Sequence, residues 1–167
     1  MKEKIIKVYE FNELKPKIQE KVLNEFREKE DFSFLNESLN DYLKELLKDK
    51  KIKSNDLKLN YSLNYCQGDG LSFTGRFEWK NYEITIFRKE YHYCHKYTTN
   101  FNILTKKGNN VKESILNEFE ALYYSICDKV EKMGYSIIEE TLKDETIKDL
   151  IEMNEYTFRE NGEIENL

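Results

Sequence analysis

Cysteine is scarce in this chain, and the three residues, Cys66, Cys94 and Cys127, have no paired spacing. An odd number of irregularly spaced cysteines argues against a disulfide framework and is typical of reduced thiols in a cytoplasm. Residues 1–6 carry no apolar segment, so we expect no secretory signal. No apolar run approaches the roughly 20 residues of a membrane span, so we also expect no membrane partner.

Proline is nearly absent, with one residue in 167, and glycine is scarce, with six. No Pro-rich or Gly-rich stretch can serve as a linker, and no internal repeat divides the sequence. We therefore expect one α+β domain over residues 1–167, a length that is sufficient for its own core. Aromatic residues are abundant instead, and twelve Tyr and ten Phe predict an aromatic-rich core.

Neither sign of charge is in large excess, because 27 basic and 32 acidic residues are interspersed and leave a net charge of −5. Nucleic-acid binding needs a basic face, so this balance does not favour nucleic acid as a partner, although it leaves a local acidic patch possible. A nucleic-acid module would instead require a local basic patch, and the lysines that could form it are Lys48, Lys50, Lys51 and Lys53.

Two runs of residues, 57–66 and 71–79, alternate between apolar or aromatic and polar side chains. A period of two predicts strands with one buried face. The intervening Gln67-Gly68-Asp69-Gly70 predicts a β-hairpin turn, because glycine permits positive φ and aspartate can bond to its own backbone. The side chains expected to be buried beneath a long helix are Tyr61, Leu63, Phe73 and Phe77.

Hydrophobic periodicity predicts the remaining elements. In chain order the predicted elements are a strand over 4–11, a helix from 12, a helix over 34–48, strands over 57–66, 70–80, 82–89 and 95–105, a long helix from 111, a short helix from 144 and a hairpin over 156–165. This order, βαα-ββββ-αα-ββ, is typical of an α+β fold with helices on one face of an antiparallel β-meander. The residues expected on the other, wet face are Asn60, Ser62, Asn64, Ser72, Thr74 and Arg76.

Four sequence blocks resemble, in their order along the chain, a family of small accessory proteins encoded by phages and prophages. The blocks are Tyr9–Leu14 with Gln19–Val22 and Phe26-Arg27, Gln67–Gly70 with Phe73–Gly75, His92–Thr98, and Asn154–Phe158 with Asn161-Gly162. The Gln-Gly-Asp-Gly turn is the most specific of them. Relatives in this family are sometimes labelled antitoxin-like.

The resemblance implies a mobile-element accessory protein in the cytoplasm of a bacterial host cell. We therefore expect a protein that binds and modulates a host protein or nucleoprotein complex, most concretely an anti-CRISPR inhibitor acting by stoichiometric binding. Two alternatives stay open. One is an antitoxin-like or regulatory module that sequesters a toxin or nucleic acid, and the other is a small ligand-binding domain or enzyme that uses His92, His95 and Asp69.

Metal and nucleophile chemistry centres on His92, Cys94 and His95. On a strand, His92 and Cys94 would point to one face and His95 to the other, so they would not converge on one ion. A nucleophilic cysteine, at 66 or 94, would need a depressed thiol pKa and a third orienting group, which Asp69 could supply only if the turn folded back. We assign no catalytic residue, metal or cofactor.

The expected site is instead a partner-binding surface. A tight turn does not require the polar side chains of both Gln67 and Asp69. We therefore expect these side chains to project at the end of the sheet beside His92 or His95. The expected partner-binding residues are Gln67, Asp69, Arg76, His92, Tyr93 and His95, with Tyr91, Tyr97, Tyr123 and Tyr124 as further tyrosines suited either to protein recognition or to the core. A turn that serves hairpin geometry alone is the alternative.

Overall fold

The fold is that of a computed structural model, which describes residues 7–89 and 92–165. Its helices are α1 (Pro16–Lys29), α2 (Leu35–Asp49), α3 (Glu113–Thr141) and α4 (Asp144–Met153). Its strands are β1 (Ile52–Ser54), β2 (Lys58–Ser62), β3 (Gly70–Trp79), β4 (Tyr82–Arg88) and β5 (Thr99–Thr105). Helices and antiparallel strands in separate stretches of the chain confirm the predicted α+β class.

The chain divides into two compact units. The sheet unit spans Ser33–Ser136, and the terminal unit contains the described residues up to Phe32 and from Ile137 onward. The single domain expected over residues 1–167 stays a prediction. Among the described residues, no helix combines the length and the apolar character that crossing a membrane requires.

β3 is the central strand of the antiparallel sheet. One of its edges pairs with β4, which continues to β5 as the predicted meander. The other edge is shared by two strands: β2 pairs with the first half of β3 and β1 with the second half. The ladder between β3 and β4 starts at Gly75, opposite Ile86, so the first half of β3 has no strand on that side.

The side chains of one sheet face pack against α3, as the alternation predicts. The ring of Phe73 lies 4.5 Å from that of Tyr123, and the ring of Trp79 lies 5.3 Å from that of Phe119. The expected burial is confirmed for Leu63, Phe73 and Phe77, whereas Tyr61 is only half-buried. Burying aromatic rings of this size provides a large part of the hydrophobic stabilisation of the sheet unit.

Ser72 departs from the wet face that the alternation predicts, because it is fully buried. The segment that contains His95 packs on this part of the sheet: a Cβ atom built on Gly70 would lie 2.6 Å from Nδ1 of His95. The Ser72 hydroxyl and the amide nitrogen of Asn60, on the facing residue of β2, have no hydrogen-bond partner among the described residues. Asn64 and Arg76 are exposed as expected.

The strands differ from the prediction in three main places, and local hydrogen bonding accounts for the first of them. β2 ends at Ser62 and not at residue 66, because the N–H groups of Asn64 and Cys66 donate to the carboxylate of Asp69. β5 begins at Thr99 and not at residue 95, because the preceding residues form a 3-10 turn. β1 lies between the predicted helix over 34–48 and the predicted strand over 57–66, where the periodicity predicts no element, because a strand of three residues is too short to show a period.

The strand expected over residues 4–11 is wrong in its described part, and residues 4–6 lie outside the described residues. Tyr9 makes an isolated bridge, and a 3-10 turn follows at Phe11–Glu13. The cause is a local cap, since the N–H of Glu10 donates to Oε2 of Glu13 at 2.8 Å.

The expected hairpin over residues 156–165 is reduced to isolated bridges from Phe158 to Tyr9 and to Ile164. Phe158 nevertheless belongs to the core of the terminal unit. That core consists of Phe11, Leu14, Val22, Leu23, Ile147, Ile151 and Phe158. Gly162 turns with a φ of 88° close to the side chains of Ile18 and Val22, a conformation that glycine adopts without strain.

Candidate protein-binding surface

The predicted turn is folded around the carboxylate of Asp69, which is only 9% exposed. Its Oδ2 accepts hydrogen bonds from the N–H of Asn64 (2.7 Å), the N–H of Cys66 (3.1 Å) and the hydroxyl of Tyr135 (2.6 Å). Its Oδ1 accepts from the Ser62 hydroxyl (3.1 Å) and the Cys66 thiol (3.2 Å). The expectation that the Asp69 side chain projects into solvent is therefore wrong, because the carboxylate holds its own loop together.

These hydrogen bonds also determine the protonation states of Asp69 and Tyr135. Burial acts to raise the pKa of Asp69, but the bonds from Tyr135, Cys66 and Asn64 outweigh it and hold the pKa well below its usual range. Burial and the bond to Asp69 raise the pKa of Tyr135, so its hydroxyl stays protonated as the donor. A carboxylate of low pKa whose oxygens are occupied is a poor general base, which disfavours an enzyme built on Asp69.

The segment from His92 to His95 packs against this turn. A Cβ atom on Gly68 would lie 3.6 Å from the ring of Tyr93, and Gly70 is in close contact with His95. The Tyr93 ring lies 4.7 Å from that of His92 and 6.1 Å from that of His95. The structure thus brings three of the predicted partner-binding residues together beside the turn.

Hydrogen bonds hold this second loop in place. Nη2 of Arg88 donates to the carbonyl of Tyr93 at 2.6 Å, and the Thr98 hydroxyl donates to the carbonyl of His95 at 2.7 Å. Lys96, whose side chain is only 14% exposed, forms an ion pair with Asp128 of α3. The loop is therefore fixed before any partner arrives, which lowers the entropic cost of binding.

Gln67 and Arg76 lie differently from the other predicted residues. Gln67 is exposed on the turn, next to Gly68. Arg76 is six residues along β3 from Gly70, about 20 Å at the usual strand rise. There its Nε bonds Oδ2 of Asp56 at 3.0 Å, and its N–H donates to Oδ1 of the same carboxylate at 2.5 Å. Arg76 does not join the surface that the turn and the second loop form.

α3 contributes to this surface Tyr124, which the sequence analysis named, and Asp128, Glu131 and Tyr135, which it passed over. Tyr124, Asp128, Glu131 and Tyr135 have spacings of four, three and four residues, which place them on one helix face. The ring of Tyr135 lies 4.8 Å from that of Tyr65, and the ring of Tyr124 lies 4.9 Å from that of Tyr97. This polar and aromatic stripe was the signal available in the sequence, beside the apolar stripe that predicted the helix.

The tyrosine surface, as we call it, consists of Tyr65, Tyr93, Tyr97, Tyr124 and Tyr135. Three of these side chains remain open to solvent: Tyr65 and Tyr97 are each 62% exposed and Tyr93 is 43% exposed. The stripe on α3 extends about 17 Å from its first to its last tyrosine. Exposed aromatic side chains with polar neighbours are enriched at protein–protein interfaces.

Tyr123 belongs to the core instead. It is fully buried, and its hydroxyl lies 3.1 Å from the N–H and 3.0 Å from the carbonyl of Phe73. These backbone groups lie in the half of β3 that β4 does not reach, so the hydroxyl pairs groups that a neighbouring strand would otherwise pair. Tyr91 lies outside the described residues.

The cysteines and histidines form no metal-binding group within residues 7–89 and 92–165. Burial raises the pKa of the Cys127 thiol, which disfavours a reactive thiolate there. Comparison of the chain with protein-family models, with curated proteins and with solved structures finds no match. The resemblance to phage and prophage accessory proteins stays a prediction.

Proposed function

We propose that this protein is a binding module that contacts a host protein or nucleoprotein complex through the tyrosine surface and acts by stoichiometric occupation. One observation carries the proposal: exposed tyrosines are presented by two loops that internal hydrogen bonds already hold in place. Tyrosine buries a large area at low entropic cost, and residues of this type dominate the binding energy of many interfaces.

The class of partner follows from the resemblance to phage and prophage accessory proteins. Proteins of mobile elements act on host systems, and a CRISPR effector is the most concrete target, which would make this protein an anti-CRISPR inhibitor in the host cytoplasm. The net charge of −5 supports a basic protein surface as the target more than free nucleic acid.

The test removes the two most exposed rings and measures binding to purified candidate effector complexes. Tyr97→Ala truncates one ring, and Tyr65→Asn removes the other while tolerating the φ of 56° at that position. We expect the double variant to keep its melting temperature and to lose at least about tenfold in affinity for the effector that wild type inhibits.

Met153→Ala is the matched control, because Met153 is 82% exposed and lies in the terminal unit. It should bind as wild type does. A double variant that folds, binds and inhibits as well as wild type would refute the proposed use of the tyrosine surface.

One observation favours a second candidate, a nucleic-acid-sequestering module. All four lysines of the possible basic patch, Lys48, Lys50, Lys51 and Lys53, are exposed where α2 leads into β1. Binding through them would weaken steeply with salt, because phosphate contacts release counterions. Salt-dependent binding of single-stranded RNA or DNA that is lost when these four lysines become glutamine would favour this alternative over the tyrosine surface.

A further inference from the structure

Glu131 occupies the middle of the stripe on α3. Toward the N-terminus, Asp128 is engaged by Lys96, and toward the C-terminus, Tyr135 donates its hydroxyl to Asp69. Glu131 lies one helical turn from both of these neighbours, and so between the two loops. The groups on either side of it are therefore fixed by their own contacts.

The carboxylate of Glu131 has no such contact. It is half-buried, and none of the residues in 7–89 and 92–165 donates a hydrogen bond to it or forms an ion pair with it. Burial and then the charge of Asp128 raise its pKa, against the opposing effects of Lys96 and His95. A half-buried carboxylate without a partner is stabilised by any cation that can reach it.

The surroundings of Glu131 select among cations. Aromatic rings lie along the same helix face on both sides, at Tyr124 and at the Tyr65–Tyr135 pair. A guanidinium is planar, stacks on aromatic rings and donates two parallel hydrogen bonds to one carboxylate. A lysine ammonium supplies the charge without the planar stacking or the paired donors.

We infer that Glu131 receives an arginine side chain from a basic segment of the protein partner, with the tyrosines of α3 flanking the guanidinium. The inference rests on the proposed function and names the chemistry of the partner. Charge complementarity supports it, because Glu131 adds a negative charge that no described residue pairs, whereas Lys96 is already paired with Asp128.

The test uses three fluorescein-labelled peptides of identical Gly-Ser spacing that carry three arginines, three lysines or three citrullines. Fluorescence anisotropy at physiological ionic strength measures their affinity for the purified protein. We expect the arginine peptide to bind more tightly than the lysine peptide, and the neutral citrulline peptide to bind least. Glu131→Gln should reduce the affinity for the arginine peptide about tenfold, because it removes the charge of the pair.

Glu118→Gln is the matched control, since Glu118 lies on the same helix about 20 Å away and the change removes the same charge. It should leave arginine binding unchanged. Absence of arginine binding overturns the inference. Equal arginine and lysine affinities that fall equally in both variants also overturn it, because they show only general attraction to an acidic protein.

The two proposals can fail separately. If effector binding needs Tyr65 and Tyr97 but is indifferent to Glu131→Gln, the proposed function stands and the arginine site is refuted. If arginine peptides bind through Glu131 while effector binding ignores the tyrosines, the arginine site stands and the proposed docking surface is refuted.

Discussion

The carboxylate of Asp69 shows how one residue can fix a loop that local propensity would leave variable. Five donors converge on it, from the end of β2, from the turn and from α3. Two of those donors are backbone N–H groups that β2 no longer pairs, so the residue completes the backbone hydrogen bonding where the strand stops. The same contacts orient Tyr65 and Tyr135, which connects the stability of the turn to the proposed binding surface.

Asp69→Asn tests this role, because it keeps the shape of the side chain but removes the charge and replaces one acceptor with a donor. We expect the free energy of unfolding to fall by about 2–3 kcal/mol, since hydrogen bonds to a charged group are lost. Urea unfolding measures the loss. Asp56→Asn, which alters an exposed pair with Arg76, should cost clearly less, and equal losses would contradict the role assigned to Asp69.

The effect of Asp69 also depends on pH in a defined direction. Its pKa is lowered in the folded protein, so the ionised form stabilises the fold above the unfolded-state pKa of about 3.9. This contribution is lost as pH falls below that value toward the folded-state pKa. The stability difference between wild type and Asp69→Asn should therefore be constant near neutral pH and shrink in acid. A difference that widens in acid would contradict this assignment.

At the scale of elements, β3 shows what the sequence can predict and what it cannot. The burial of Phe73 and Phe77 follows from local alternation, which is visible within a few residues. The burial of Asp69 depends on Tyr135, which lies 66 residues later, and the burial of Ser72 accompanies the packing of the His95 segment on the sheet. These are tertiary contacts, and a period of two contains no information about them.

In the half of β3 that β4 does not reach, the hydroxyl of Tyr123 from α3 bonds the backbone groups of Phe73 that a neighbouring strand would otherwise pair. Tyr123→Phe would remove the hydroxyl and leave the N–H and carbonyl of Phe73 unpaired in the core, which should cost about 1–3 kcal/mol. Tyr124→Phe is the neighbouring control, because its hydroxyl bonds the side chain of Glu120, on the same helix, and no backbone group in the described part of the chain. Equal thermal unfolding of the two variants would show that the Tyr123 hydroxyl does not support the strand edge.

At the scale of the whole molecule, net charge and aromatic content both favour a protein partner with a basic surface. An acidic protein that displays tyrosines has the composition to attract a basic protein surface and then to hold it by aromatic contacts. The sequence predicted Gln67, His92, Tyr93 and His95 from the turn and its neighbouring block, and the structure places them on the two loops. The sequence pattern could not show that Arg76 lies away from these residues, because that separation depends on the direction in which β3 runs.

Stoichiometry is the property that distinguishes a binding module from a catalyst. If the protein inhibits by occupying a surface, inhibition of a purified host effector should saturate near an equimolar ratio, because each complex consumes one molecule of inhibitor. Added ATP, NAD or divalent metal should not change that ratio. Titration of effector activity, with mass spectrometry of the effector afterwards, measures both points. Full inhibition at a small fraction of the effector concentration, or a covalent change on the effector, would show turnover and refute the binding mechanism, even if the tyrosine surface proved to be the contact.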